Sequence, residues 1–176
     1  MKVSTLCKLF NSTLGETYNT RLLGGFDEPF YKAPNSTSEA QIQFRNDYSA
    51  SAMHEISHWC IAGVDRLKLD DFGYWYAPDG RTEEQQRQFE QVEIKPQALE
   101  WLFCVAAGMP FRLSLDNLNG SVGDTRQFAE AVVKQAKHYA STGKVPSRGG
   151  EWLAQLSKVS GNRWQDSQYF QYEALL

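Results

Sequence analysis

The stretch Met53-His54-Glu55-Ile56-Ser57-His58-Trp59 constrains this chain more than any other. His54 and His58 stand four residues apart with Glu55 beside the first, the pattern H-E-x-x-H. On an α-helix, residues i and i+4 lie one above the other on the same face. Two imidazoles held that way can bind a single metal ion. Chance produces the pattern in on the order of one in a few hundred chains of this length. The plain alternative is a helix carrying two hydrogen-bonded histidines. Against it, the chain has only 3 histidines and two of them fall here. A metal site is the favoured reading, and the fold must supply a helix to carry it.

Composition narrows the class. At 176 residues the chain fits one domain, 1–176, with room for a core that needs neither disulfides nor a structural metal. A net charge of −3 and a pI near 5.6 argue against a general nucleic-acid or anionic-membrane binder, which needs a basic excess. Cys7, Cys60 and Cys104 are odd in number, far apart and set in apolar segments, so they read as reduced, buried thiols. Met1-Lys2-Val3-Ser4 opens no secretory signal, and no apolar run is long enough to span a bilayer. The expectation is a soluble, cytoplasmic protein.

Local patterns give a mostly helical chain. Val3, Leu6, Cys7, Leu9 and Phe10 predict an amphipathic helix over 3–10, capped by Ser4 or Thr5. Residues 11–25 read as turns around a short ordered piece at Arg21-Leu22-Leu23, and 24–38 as a loop. Ala40-Gln41-Ile42-Gln43-Phe44-Arg45 alternates apolar and polar and predicts a strand. The metal helix follows over 50–61, with an N-cap among residues 46–49 and Gly63 as its stop. Strand, short loop and H-E-x-x-H helix is the layout of zincin metallopeptidases, a likeness of motif and local order only. From Leu69 to Arg81, the aromatics Phe72, Tyr74, Trp75 and Tyr76 suggest a strand beside that helix. Core packing is its plain reading, and a pocket wall its functional one.

Thr82 and Gln85 form a capping box for a helix whose apolar face is Phe89, Val92, Pro96, Leu99 and Phe103, with a kink or split expected at Pro96. Residues 101–108 read as core, and 110–123 as a loop with a short strand at 111–114. An amphipathic helix over 124–142 ends at Gly143, and a last helix over 151–159 closes at Gly161 before a loosely held tail. His138 lies in a solvated run and reads as a surface residue. Winding the second long helix at about 100° per residue puts Glu93 and Glu100 inside its apolar face. A carboxylate there needs a cation, strong donors or a metal. Both are candidates for a third ligand, and the pattern does not choose between them.

Two histidines and a glutamate are the ligands of a thermolysin-type zinc hydrolase. They are equally the facial triad of non-haem Fe(II) oxygenases. In the first case Glu55 is the general base for zinc-bound water. In the second it orients ligands or handles protons. The peptidase reading is weakened by Val92-Glu93-Ile94-Lys95-Pro96, which is not the usual N-E-x-x-D, and by the lack of a third histidine at metzincin spacing.

Longer strings carry a specific likeness. His54-Glu55-Ile56-Ser57-His58-Trp59-Cys60-Ile61-Ala62-Gly63, Asp71-Phe72-Gly73-Tyr74-Trp75-Tyr76, Pro78-Asp79-Gly80-Arg81 and Val92-Glu93-Ile94-Lys95-Pro96-Gln97-Ala98-Leu99 resemble the bacterial elongation factor P hydroxylase family. Asn19-Thr20-Arg21-Leu22, Asp27-Glu28-Pro29 and Trp101-Leu102-Phe103-Cys104-Val105-Ala106-Ala107-Gly108 extend the match, which covers residues 17–120. The resemblance implies an α+β, zincin-like single domain, mostly helical, with a small sheet next to the H-E-x-x-H helix. It implies hydroxylation of the β-lysylated lysine of translation elongation factor P, with Fe(II) as cofactor and O₂ as cosubstrate. It implies His54, His58 and Glu93 as metal ligands and Glu55 as the catalytic residue beside them. On that assignment Glu100→Ala should at most lower stability. Asp70, Asp71 and Asp79 could draw in a cationic side chain, solvated surface charge being their plainer reading. The competing functions are a zinc-dependent metallopeptidase and a non-catalytic, metal-dependent binding protein of the translation machinery.

Overall fold

The computed structural model describes residues 1–71, 81–114 and 125–175. Helix α1 (Val3–Phe10) turns Leu6 and Phe10 into the core. Its expected Ser4 or Thr5 cap is not used. The Lys2 carbonyl takes the amides of Thr5 and Leu6, with no side-chain bond from the N-cap. Helical backbone then continues where turns were expected, through a π turn at Asn11–Gly15 and the short α2 (Glu16–Tyr18). Hydroxyl back-bonding accompanies the widened turn, with Thr13 Oγ1 donating to the Leu9 carbonyl at 2.6 Å and Ser12 Oγ to that of Lys8 at 2.8 Å. Asn19, left-handed at φ 47°, then reverses the chain.

Three strands follow, β1 (Thr20–Phe26), β2 (Phe30–Lys32) and β3 (Ala40–Arg45), in the order β1-β3-β2. The central β3 runs parallel to β1 and antiparallel to β2. Its alternation sends Ala40, Ile42 and Phe44 inward, as the sequence pattern requires. Strands β1 and β2 are longer and more regular than the reading of 11–38 allowed. β1 lacks alternation and contains Gly24 and Gly25, so its extended form comes from pairing with β3. The Asn11 side chain adds to it, accepting from the Leu22 amide at 2.8 Å and donating to the Leu22 carbonyl at 3.1 Å. Gly24 is where the Phe44 ring presses on the sheet: a Cβ would meet that ring at 2.6 Å.

β3 feeds almost directly into helix α3 (Ser49–Ile61), which buries Ala52, Met53, Ile56, Ser57, Trp59 and Cys60. Tyr48 is its N-cap and contributes no side-chain bond; the side chain of Ser51 instead accepts from the Arg45 amide at 3.0 Å. Helix α4 (Glu83–Ala107) opens on the expected box, with Gln85 N donating to Thr82 Oγ1 at 3.3 Å and Thr82 N to Gln85 Oε1 at 3.0 Å. Thr82→Ala removes one half of that box and should lower stability by about 1 kcal/mol, read as a shift in the urea midpoint.

Pro96 does not split α4. Helical backbone runs through it, and its ring is buried among the other core-facing positions of the helix. Packing against α3 and two later helices, α5 (Thr125–Thr142) and α6 (Ser147–Ser160), outweighs the one backbone bond that a proline removes. α4 ends at Gly108, left-handed at φ 65°, with Met109 N returning to the Cys104 carbonyl at 2.8 Å. No strand forms over 111–114; Phe111 stacks on Trp101 with centroids 5.1 Å apart. The tail is held rather than loose, because Phe170 is fully buried and packs edge-on against Trp101, and Trp164 is buried too.

Buried apolar residues from α1, the sheet and all four longer helices form one continuous core. The fold is therefore α+β, helices dominating, with the small sheet beside the H-E-x-x-H helix. The three cysteines are unpaired. No helix among the described residues is long and apolar enough to cross a membrane.

Candidate metal centre

α3 lies against α4, so the face of α3 that carries His54 and His58 meets the stripe of α4 that carries Glu93 and Glu100. His54 Nε2 and His58 Nε2 are 3.1 Å apart. Glu93 Oε1 is 3.1 Å from His58 Nε2, and Glu93 Oε2 is 3.6 Å from His54 Nε2. Edges of that length suit donor atoms about 2.1 Å from a shared ion. Among the described residues, these three form the group whose ligand atoms could hold a metal, all within 4.8 Å of one another. The donor set therefore fits a divalent transition metal. His138, by contrast, is exposed on α5.

Glu93 is buried, and burial alone would raise its carboxyl pKa. The charges of His58 and His54, with hydrogen bonds from His58 and Gln97, reverse this and bring it to about 2. Gln97, fully buried one turn further along α4, donates to Glu93 Oε2 at 3.3 Å and to the Ser114 carbonyl at 2.7 Å. Its own carbonyl accepts from the Ser114 amide at 3.0 Å. Gln97 thus ties the carboxylate to the segment after α4. It went unnoticed in the sequence, where its only signal was the i+4 spacing from Glu93.

Glu100 touches the same histidine from the other side, its Oε2 lying 2.9 Å from His54 Nδ1. Glu93 and Glu100 are two helical turns apart, and the His54 ring spans the gap with one nitrogen toward each. With the shared proton on Nδ1, Nε2 keeps its lone pair for the site. Burial opposes charge on His54, but the Glu100 bond and the nearby Glu93, Glu100 and Glu55 charges win and raise its pKa, so a metal taking the Nε2 lone pair would displace a proton. Glu100 therefore contacts the group from outside it, through the His54 ring.

Glu55 faces a cleft with His58, lined further by Phe30, Tyr31, Trp59 and Leu67. Burial pushes its carboxyl up, against the pull of His54 and His58. Of the acidic residues considered for a cationic substrate, Asp70 accepts from the Ala33 amide at 2.7 Å. Asp71 borders the cleft, ion-paired to Arg66, and its backbone bridges to Tyr31. Asp79 and most of the aromatic strand expected over 69–81 lie outside the described residues.

The C-terminus of α3 also differs from the expectation. The helix ends at Ile61 with Gly63 at C′, as expected, but Gly63 does not take the left-handed φ of a glycine stop. Ala62 leaves the helix in extended geometry, and Arg148 of α6 donates from Nη2 to the carbonyls of Trp59, at 2.7 Å, and Ala62. Its guanidinium carbon lies 4.8 Å from the Trp59 ring centroid. A cation over the last carbonyls satisfies them and opposes the helix dipole next to His58. Arg148→Met should lower stability by about 1–2 kcal/mol in chemical denaturation, whereas Arg148→Lys should recover part of the loss.

A mostly helical α+β domain with two histidines and one carboxylate gathered beside a cleft belongs to the H-E-x-x-H class of candidate metalloenzymes. Comparison with known proteins specifies it further. A family model described as "Elongation factor P hydroxylase" matches residues 9–170. The elongation factor P lysine hydroxylase of Haemophilus influenzae is 51% identical over 148 residues, covering 84% of this chain and 83% of that protein. The chain belongs to the elongation factor P hydroxylase family.

Proposed function

We infer that this protein hydroxylates elongation factor P at a lysine-derived side chain. The carrying observation is the meeting of His54, His58 and Glu93 beside a cleft that His58 lines, in a chain so similar to a named lysine hydroxylase. The β-lysylated form of the factor is the substrate we assign. Fe(II) held by His54, His58 and Glu93 is the cofactor, and O₂ the cosubstrate. Two histidines and one carboxylate leave coordination positions open, and bound iron supplies oxygen activation there.

The protein's own groups have separate tasks on this reading. Glu100 holds the Nδ1 proton of His54 and fixes the ring; Gln97 fixes the Glu93 carboxylate. Glu55, on the cleft side of α3, is positioned to hold or pass a proton near the substrate. The apolar walls given by Phe30, Tyr31 and Trp59 suit an aliphatic stem and exclude water around it. Three unpaired cysteines fit a reducing compartment, and the cytoplasm is the location we assign. The donor set would equally serve a zinc peptidase, and the similarity to a named lysine hydroxylase is what favours hydroxylation.

The test is anaerobic reconstitution with Fe(II), followed by O₂ and β-lysylated factor, read by intact-protein mass spectrometry. We expect one added oxygen atom on the factor, absent with His54→Ala. Fragmentation of the factor would instead restore the zinc peptidase reading.

A further inference from the structure

We propose that the segment between α3 and Asp71 is the docking strip for the substrate protein, with Val64 and Leu69 as its apolar contacts. The proposal rests on the hydroxylase reading of the cleft. A lysine on a folded protein reaches a buried centre only by the length of its four-carbon stem and what is attached to it. The main chain of the factor must therefore come down on the rim of the cleft. One wall of that cleft is formed by Ala62, Arg66, Leu67 and Asp71. Between these lining residues, the same segment holds Val64 at 71% exposure and Leu69 at 67%.

Isolated exposed apolar residues are ordinary. These two differ in being held out on an anchored segment. Tyr31 Oη donates to the Leu67 carbonyl at 3.1 Å, and the Ala33 amide donates to Asp70 Oδ1 at 2.7 Å. Asp71 and Tyr31 exchange backbone bonds of 2.8 and 2.9 Å. Arg66 is ion-paired to Asp71, and Lys68 to Asp65 at 2.7 Å. The segment is thus fixed to β2 through its inner residues while Val64 and Leu69 stay in water. Neutralised charges beside them reduce the electrostatic cost of covering the strip. An ordered, apolar rim beside the catalytic cleft is what a protein substrate meets first.

The measurement uses the double variant Val64→Ser/Leu69→Ser in the full, iron-loaded protein. Binding of β-lysylated elongation factor P is read by titration and turnover by mass spectrometry. A short peptide carrying the same modified lysine serves as the second substrate. We expect Kd and KM for the intact factor to rise about ten-fold or more, with kcat, iron content, Tm and kcat/KM for the peptide unchanged. Equal losses on peptide and factor would mean that the substitutions reshape the cleft, overturning the proposal. An unchanged Kd for the factor would overturn it too, including the case in which the variant alters only self-association in sedimentation. Factor bound by the wild type without oxygen gain, and lost by the variant, would instead sink the hydroxylase reading and keep the docking strip.

Discussion

Glu93→Ala is expected to leave a folded protein that no longer retains iron and no longer modifies the factor. Among the described residues, Glu93 is the carboxylate that reaches both Nε2 atoms, at 3.1 Å and 3.6 Å. Without it, two neutral imidazoles remain, a set with no negative charge to offset a divalent ion and one donor short of the three that open metal sites use. The fold should survive with lowered stability, because the substitution removes one partner of a buried cluster with two histidines and Gln97 while the continuous core stays intact. Elemental analysis after gel filtration, alongside circular dichroism, checks both halves. Full iron retention in this variant would mean that the third ligand lies elsewhere.

Glu100→Ala is expected to weaken iron binding by about 10–100-fold without abolishing it, the usual scale for an outer partner of a ligating histidine. The sequence stripe offered Glu93 and Glu100 as equivalent, and the family resemblance left Glu100 with stability alone. The 2.9 Å contact to His54 Nδ1 gives it a second task, holding the ring and its tautomer. Glu100→Gln keeps an acceptor for Nδ1–H and should recover most of the loss. Competition with a chelator of known affinity separates the two variants, and their Tm values separate metal affinity from folding. Equal, complete loss in Glu93→Ala and Glu100→Ala would make both carboxylates ligands.

The two outcomes together distinguish a hydroxylase centre with one inner and one outer carboxylate from a dinuclear or rearranged site. Glu55, which lines the cleft, is left unchanged by both substitutions. Activity lost with iron fully retained, in Glu55→Gln, would identify it as a proton-handling group rather than part of the cage.

Much of this protein follows from spacing within single segments. The i, i+4 spacing of His54 and His58 behind N-cap candidates at 46–49 points to a helix with both histidines on one face, and Thr82 with Gln85 marks where α4 begins. The same winding put Glu93 and Glu100 on the buried stripe, where they are found. These signals are legible because helix geometry and capping act over a few neighbouring residues. Other features have no local signature. β1 and β2 are strands because β3 pairs with them, α4 passes Pro96 because neighbours pack on it, and the last carbonyl of α3 is satisfied by Arg148 from 86 residues away. The division of labour between Glu93 and Glu100 is of the same kind. Both satisfy the same periodicity, and only the placement of α3 against α4 gives one carboxylate both Nε2 atoms and the other Nδ1. The sequence by itself determined the ligand-bearing faces, since each is set by one helix's winding. The tertiary structure decided which atoms meet across them, since distances between helices depend on packing contributed by the whole chain.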